Sequence, residues 1–255
     1  DVNAAPTGSD RLYIAPEPQA GSSYLEDVED KVVKLTNAER VHAGLGPLEP
    51  EKAGLRLAAR AQSDDMLIRK FFDHVNPDGA APSDRVHSLH RRLVGLAGEN
   101  IWMRTSAGGG TASSDVLAAE IVRGWMNSKG HRENILRPTH THMALGIVQA
   151  GGEVRATQVF ATVYALLDTD VPRILHKGDS FSLGASKLGV ATAAPDYFDL
   201  FDPARGLAEA KLAVAGAKVS AARGVRRLRF YVRQSGGGGW TIVNGPSVSR
   251  SVVPP

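Results

Sequence analysis

A change in hydrophobic pattern near residue 170 constrains the fold of this 255-residue chain more than any other feature. Before that point, apolar residues recur every three or four positions in several segments, as they do on the buried face of a helix. After it, short runs rich in β-branched and aromatic residues alternate with Gly and Pro, which is typical of strands joined by turns. The pattern predicts an α+β region followed by a smaller all-β, sandwich-like domain.

The length supports the same division, because domains commonly contain about 100–200 residues. Residues 1–22 mix Pro, Gly, Ala and Ser with little apolar periodicity, which indicates an exposed N-terminal arm. We therefore predict an arm over residues 1–22, an α+β domain over 23–168 and a β-sandwich domain over 170–255.

Helix boundaries follow from capping residues and glycines. Ser23 and Glu26 fit a capping box that would begin a first helix, and Gly44 would end it. A second helix is predicted over about 50–70, a third from 83 to about 95, and a fourth that ends at Gly130. Two strands, over 143–148 and 154–165, would then form a hairpin around Gly151.

Charge and cysteine content exclude several classes of protein. The 30 basic residues are offset by 27 acidic ones, so no dense cationic footprint for nucleic acid is present. The absence of cysteine excludes disulfides, thiolate metal sites and cysteine nucleophiles.

No apolar run approaches the roughly 20 residues of a membrane-spanning helix, so no transmembrane segment is predicted. The chain begins at Asp1 without a signal-peptide pattern, and we expect any export signal to lie outside the displayed sequence.

Three separated segments carry imidazole and carboxylate side chains. One ends at His74, the second contains Glu99, and the third ends at His131. Two imidazole nitrogens and one carboxylate, brought together by folding, could hold a divalent cation with a position left for water. Zn²⁺ suits this set best, because Ca²⁺ and Mg²⁺ prefer more oxygen ligands. The alternative is a hydrogen-bonded polar cluster that shapes the fold without binding a ligand.

These segments belong to an ordered series that resembles a known family. The series contains six pieces: Leu35 to Arg40 with Gly44 to Leu48, Phe72 to His74 with Pro77 to Gly79, Gly98 to Asn100, Trp125 to Ser128, Gly130 to Leu136, and Thr157 to Phe160. Between about Leu25 and Leu167 the chain thereby resembles the CAP superfamily (cysteine-rich secretory, antigen 5 and pathogenesis-related proteins), in its cysteine-free bacterial form known as SCP-like extracellular proteins.

The resemblance implies a three-layer α-β-α sandwich over residues 23–168, with an open cleft that holds two histidines and usually two acidic residues. By position, His74, Glu99 and His131 match the two histidines and the first acid. Ser128 stands where other branches of the family place the second acid, which weakens a four-ligand metal site. His74, Glu99, Ser128 and His131 are therefore the expected ligand-cleft residues, and no catalytic residue is assigned.

The resemblance also implies an exported bacterial protein, secreted or held in the periplasm or cell envelope. The leading hypothesis is a non-enzymatic binding protein whose cleft holds a divalent cation or a small or lipidic ligand, the natural partner being an unknown extracellular ligand or envelope component. One alternative is a metal-dependent hydrolase acting on a peptide or an envelope component. A second alternative is a structural or adhesion protein that acts through its C-terminal β domain.

Two histidine pairs are weaker candidates for a metal site. His87 and His90, three residues apart, would share one face of the third helix, where they could hold a cation or, more simply, be solvated or packed. His140 and His142 would share one face of a strand, where they could add a ligand near the cleft or lie half-exposed.

A basic stripe is predicted in the C-terminal region. Residues that alternate along one strand would share a face and could grip an anionic polymer: Arg227, Arg229, Tyr231 and Arg233. The alternative is an ordinary solvated outer face of a β-sandwich strand.

Overall fold

The computed structural model describes residues 12–106, 112–187, 193–220, 224–233 and 239–250, so part of the predicted arm, residues 1–11, lies outside the described ranges. Within these ranges the helices are α1 (Glu26–His42), α2 (Gly54–Arg69), α3 (Pro82–Leu89), α4 (Ser114–Asn127) and α5 (Lys129–Ile135). None of these helices is both long and apolar enough to cross a membrane.

The strands in the same ranges are β1 (Ser23–Tyr24), β2 (Glu49–Pro50), β3 (Leu93–Thr105), β4 (His142–Ala150), β5 (Glu153–Leu167), β6 (Ile174–Leu175), β7 (Ser180–Ser182), β8 (Ala185–Lys187), β9 (Tyr197–Asp202), β10 (Leu207–Ala208), β11 (Leu212–Ala213), β12 (Lys218–Ser220), β13 (Val225–Arg233) and β14 (Trp240–Arg250). The fold is therefore mixed α and β with a β-rich C-terminal region, as the sequence predicted.

The chain divides into two compact units, and each is assembled from separate segments. The helix-rich unit comprises the described residues within 15–77 and 97–161, whereas the strand-rich unit comprises those within 12–14, 78–96 and 162–250. The long strands β3 and β5 each contribute residues to both units. The domain boundary near residue 169 stays a prediction.

Strand β4 organises the helix-rich unit. It pairs antiparallel with β1 and β5 and parallel with β2, with Met143 opposite Phe160. Leu145 and Ile147 lie two residues apart, so both side chains point to one face of the sheet. There they join a buried cluster with apolar residues of α1 and α4, including Trp125.

The opposite face of β4 carries α2 at very close range. A Cβ on Gly146 would lie 2.2 Å from the backbone nitrogen of Arg60, so only glycine allows this approach. The Ser63 hydroxyl donates to the Gly146 carbonyl at 2.7 Å and lies 2.8 Å from the Thr157 hydroxyl. Helices thus cover both faces of the sheet, which confirms the predicted α-β-α layering.

Three predicted helix boundaries are wrong. Ser23 does not cap α1, because it pairs with Gln149 as part of β1, and α1 begins at Glu26 after an N-cap at Leu25 without a side-chain hydrogen bond. The fourth helix does not run to Gly130. Instead, α4 ends at Asn127 and the separate helix α5 includes Gly130. The third helix does not run to Gly95, because α3 ends at Leu89 and Gly95 lies in β3, where it pairs with Asn244. Sheet pairing at Ser23 and Gly95 and a short helix–helix junction at Ser128 override the local signals.

The strand-rich unit is built around β13 and β14, which form an antiparallel pair. β13 also pairs with β9, so that Phe230 lies opposite Phe198, and β14 also pairs with β3 and β6. The apolar residues of these strands form a second buried cluster, which includes Leu228 and Phe230. Helix α3 packs on β14 within the same unit.

Candidate functional site

The loop that follows α2 carries His74 and is held at both ends by side chains of that helix. The amide of Gln62 donates to the Asp73 carbonyl at 2.8 Å. The amide of Asn76 donates to the buried carboxylate of Asp65 at 2.9 Å. Because both anchors come from one helix, the position of His74 is set by α2 and not by the loop alone.

His74 contacts a buried carboxylate on β3. Its Nδ1 atom lies 2.9 Å from Oε1 of Glu99, whose side chain is 1% exposed, whereas the side chain of His74 is 44% exposed. A carboxylate only accepts hydrogen bonds, so the proton between the two groups is carried by Nδ1 of the imidazole. The pair therefore presents an oriented imidazole at the surface, supported from beneath by a buried acid.

His131 reaches the same place from α5. Its carbonyl accepts from the Asn100 amide at 3.2 Å, and the Asn134 amide donates to the Glu99 carbonyl at 3.1 Å. Burial lowers the pKa of His131, and the nearby charge of His74 lowers it further. Both effects favour the uncharged form of the His131 imidazole. We call His74, Glu99 and His131 the histidine–glutamate cluster.

Amides that the sequence analysis did not single out build the support for this cluster. Asn100 accepts from the Asn134 amide at 3.0 Å and donates to Gln158 at 3.2 Å. Gln158 in turn donates to the Thr36 hydroxyl at 3.0 Å, and both of these residues are fully buried. The available signal was position: Asn100 and Asn134 lie in the motif pieces that contain Glu99 and His131, and Gln158 and Thr36 lie in two other pieces of the series.

Ser128 lies between α4 and α5. It is the C-cap residue of α4 and the N-cap residue of α5. Its backbone N–H donates to the Trp125 carbonyl at 3.1 Å, and its carbonyl accepts from the backbone N–H of Arg132 at 2.9 Å. These contacts describe a junction residue. In the described part of the chain they do not connect the Ser128 hydroxyl with either imidazole of the cluster.

The cluster can also be compared with the needs of a metal ion. In the ranges that the structure describes, no group of three or more His, Asp or Glu side chains is arranged to hold a metal ion. Nδ1 of His74 is directed to Glu99, and a serine stands where a second acid would be. Zinc binding by His74, Glu99 and His131 therefore stays a prediction.

The second histidine pair is not a pair on one strand face. β4 begins at His142, so His140 precedes the strand, and its ring stacks on Phe160 with centroids 5.0 Å apart and planes within 6°. Burial lowers the pKa of His140 to about 3, with smaller contributions from the charges of Arg137 and Arg40. His140 is therefore a core aromatic residue that stays neutral.

His87 and His90 have separate environments within the strand-rich unit. His87 lies on α3 and is fully buried, and burial together with the charge of Arg227 lowers its pKa well below 6.5. His90 follows the helix, and its Nδ1 accepts the backbone N–H of Leu93 at 3.1 Å. The two rings have packing and capping roles, which is the simpler of the two interpretations.

The basic stripe on β13 is neutralised by carboxylates. Each arginine has an aspartate partner: Arg227 with Asp84, Arg229 with Asp199 and Arg233 with Asp196. The Tyr231 hydroxyl also donates to Asp199, at 2.7 Å. These pairs favour the solvated outer face over a surface for an anionic polymer.

Residues 33–164, slightly more than half of the chain, match the Cysteine-rich secretory protein family, CAP. The chain is 41% identical over 134 residues to the uncharacterized protein YkwD of Bacillus subtilis (strain 168), which covers 52% of this chain and 46% of that protein. It is 33% identical over 119 residues to the uncharacterized membrane protein YlbC of the same organism, which covers 47% of this chain and 31% of that protein.

A crystal structure of an extracellular protein containing an SCP domain, from Bacillus anthracis strain Ames, is 29% identical with a TM-score of 0.43 and covers 53% of this chain and 40% of that chain. The chain thus spans less than half the length of each of these three proteins. The six ordered motif pieces and the family match agree, and the chain belongs to the CAP family.

Proposed function

We propose that this chain is an exported bacterial binding protein, secreted or held in the cell envelope, that takes a small amphipathic ligand at the histidine–glutamate cluster without changing it chemically. The proposal rests on the contact between the half-exposed imidazole of His74 and the buried carboxylate of Glu99. Membership in a family named for secreted proteins supports the location.

The polar end of the ligand would lie against the two imidazoles. His74 is oriented through its Nδ1 by Glu99, and His131 is held through its backbone by Asn100. A ring whose orientation is set by a second group loses little freedom when it binds, so hydrogen bonding to a carboxyl or hydroxyl group costs less entropy. A neutral His131 imidazole can also accept a hydrogen bond from a hydroxyl or a protonated carboxyl group. A charged imidazolium can only donate hydrogen bonds.

The apolar end of the ligand would lie against the loop itself. Phe72 and Val75 stand on either side of His74 in sequence, and each is 43% exposed. Apolar side chains beside a polar group form the usual lining of a ligand site, in which a few polar contacts fix the orientation. This combination favours a ligand with a polar head and an apolar tail, such as a fatty acid.

The contacts give less support to hydrolysis. A hydrolase needs an activated nucleophile or a metal-bound water. In the described ranges no metal-holding group is arranged around the cluster, and Ser128 has only junction contacts. The polar network instead holds two imidazoles in place, which is a requirement of binding.

The test is a titration with the fluorescent fatty acid cis-parinaric acid. We expect saturable binding to the unmodified chain and at least about tenfold weaker binding to His74→Ala and Glu99→Gln, since about 1.4 kcal/mol corresponds to a factor of ten. His176→Ala, which removes an exposed histidine of the strand-rich unit, should bind as the unmodified chain does. Equal binding by His74→Ala and the unmodified chain would contradict the proposal.

The two other functional classes give different results in parallel assays. Steady turnover of a peptide or peptidoglycan substrate that disappears both in His74→Ala and with chelator would assign the chain to the hydrolases. Adhesion to envelope fragments that His74→Ala leaves unchanged would assign the activity to the C-terminal β region.

A further inference from the structure

Three aromatic rings of the strand-rich unit surround one ammonium group. The Nζ atom of Lys211 lies 4.2 Å from the ring centroid of Tyr197, 4.6 Å from that of Tyr231 and 4.8 Å from that of Trp240. A cation within about 6 Å of a ring centroid is attracted by the negative face of the ring. We call Tyr197, Tyr231 and Trp240 the aromatic cage.

The cage is built on paired strands, so its shape does not depend on the lysine. Tyr197 on β9 lies directly opposite Tyr231 on β13, and Trp240 begins β14 opposite Arg233. The rings of Tyr197 and Trp240 also meet edge to face, with centroids 5.6 Å apart and an angle of 76° between their planes. The strand register and this ring contact hold the cage preformed.

The charges around the cage suit a cation. The Tyr231 hydroxyl donates to Asp199, and this hydrogen bond raises the pKa of Tyr231, so the ring stays a neutral phenol. The guanidinium of Arg233 lies 4.8 Å from the Trp240 ring but is paired with Asp196 at 3.0 Å. Because its charge is compensated by this carboxylate, repulsion of a second cation is reduced.

Lys211 enters the cage from an exposed connection. It lies between the two-residue strands β10 and β11, in a stretch where residues 204–213 are all exposed. Among the described residues, no carboxylate forms an ion pair with Lys211, and its ammonium group contacts the three rings of the cage. The cage is also open to water, because Tyr197 is 36% exposed and the neighbouring Ile242 is 48% exposed.

We propose that the aromatic cage is a binding site for an alkylammonium group of an external molecule, and that Lys211 occupies it as a built-in competitor. A methylated ammonium of the choline type fits best, because it is less strongly hydrated than a primary ammonium and covers several ring faces at once. The site lies in the strand-rich unit and is independent of the function proposed for the histidine–glutamate cluster.

Calorimetric titration of the full chain with choline chloride tests the proposal. We expect Lys211→Gln to bind choline at least tenfold more tightly than the unmodified chain, because the substitution removes the competing ammonium and keeps the rings. Lys218→Gln removes the same charge from an exposed strand position outside the cage and should match the unmodified chain. On the Lys211→Gln background, Trp240→Ala should weaken choline binding at least tenfold.

Two further measurements identify the chemical group that the cage recognises and the kind of molecule that carries it. The neutral isostere 3,3-dimethylbutan-1-ol should not compete with choline, since it has the same shape without the charge. Sedimentation of Lys211→Gln with phosphatidylcholine vesicles, but not with phosphatidylglycerol vesicles, would place the ammonium on a lipid surface, whereas choline binding without sedimentation would indicate a soluble ligand. The proposal is overturned if folded Lys211→Gln, verified by thermal unfolding, binds choline no more tightly than the unmodified chain, or if the isostere binds equally well.

Discussion

Asn100 and Asn134 share a hydrogen bond of 3.0 Å that joins β3 to α5. Each asparagine neighbours or contacts a cluster residue: Asn100 follows Glu99 in the chain and donates to the carbonyl of His131, while Asn134 donates to the carbonyl of Glu99. This reciprocal pair therefore sets the distance between the strand that carries the acid and the helix that carries the second imidazole.

Replacing Asn100 with Ala should destabilise the chain as well as the site. The side chain is fully buried, and its loss leaves the amides of Asn134 and Gln158 without a shared partner. Since each buried polar group left without a partner costs about 1–3 kcal/mol, we expect a loss of roughly 3 kcal/mol of unfolding free energy in urea. Asn127→Ala, at an exposed helix end, should change little. Equal effects in the two variants would contradict this role.

Gly146→Ala should separate α2 from the sheet. The added Cβ would lie 2.2 Å from the backbone nitrogen of Arg60, and a backbone atom cannot rotate away as a side chain can. We expect a loss of about 3 kcal/mol or more in urea unfolding. Gly130→Ala is a matched control in α5, where a Cβ meets nothing within 4 Å, and it should stabilise the chain by about 0.5 kcal/mol. A neutral Gly146→Ala would show that the helix can move away without cost.

The sequence predicted features that depend on periodicity and ordered motifs. The helix positions, the α-β-α layering and the proximity of His74 and Glu99 followed from patterns that one-dimensional reasoning can detect. The boundary signal at Ser23 failed because its sheet partner, Gln149, is distant in sequence. The signal at Gly130 failed because a junction at Ser128 divides this segment into two helices.

The amide network was missed for a related reason. Gln158 and Thr36 are 122 residues apart, and a single sequence contains no sign that their side chains meet. The aspartate partners of the β13 arginines also come from distant positions, such as Asp84 for Arg227, 143 residues away. Polar pairs of this kind are visible only after folding, whereas apolar periodicity is visible before it.

Zinc titration tests the metal site that the sequence predicts at the histidine–glutamate cluster. If His74, Glu99 and His131 hold Zn²⁺, the chelator-stripped chain should show a rise in Tm with Zn²⁺ that a His74→Ala, His131→Ala double variant lacks. A ligand that binds only the native state raises stability by mass action. Equal changes in Tm for the two proteins would therefore contradict the predicted zinc site.

His140 should make the chain acid-sensitive. Its folded-state pKa is about 3, against about 6.5 when unfolded, because the ring is buried against Phe160 and near Arg137. Between these pH values the unfolded state binds more protons, so stability falls as the pH drops from 6.5 towards 3, by at most about 1.4 kcal/mol per pH unit for one histidine.

Replacing His140 with Gln removes this titration. Urea unfolding across this range should show a shallower pH dependence for His140→Gln than for the unmodified chain, while His176→Gln, at an exposed position, keeps the original slope. Parallel slopes for all three proteins would show that His140 is accessible to protons in the folded state.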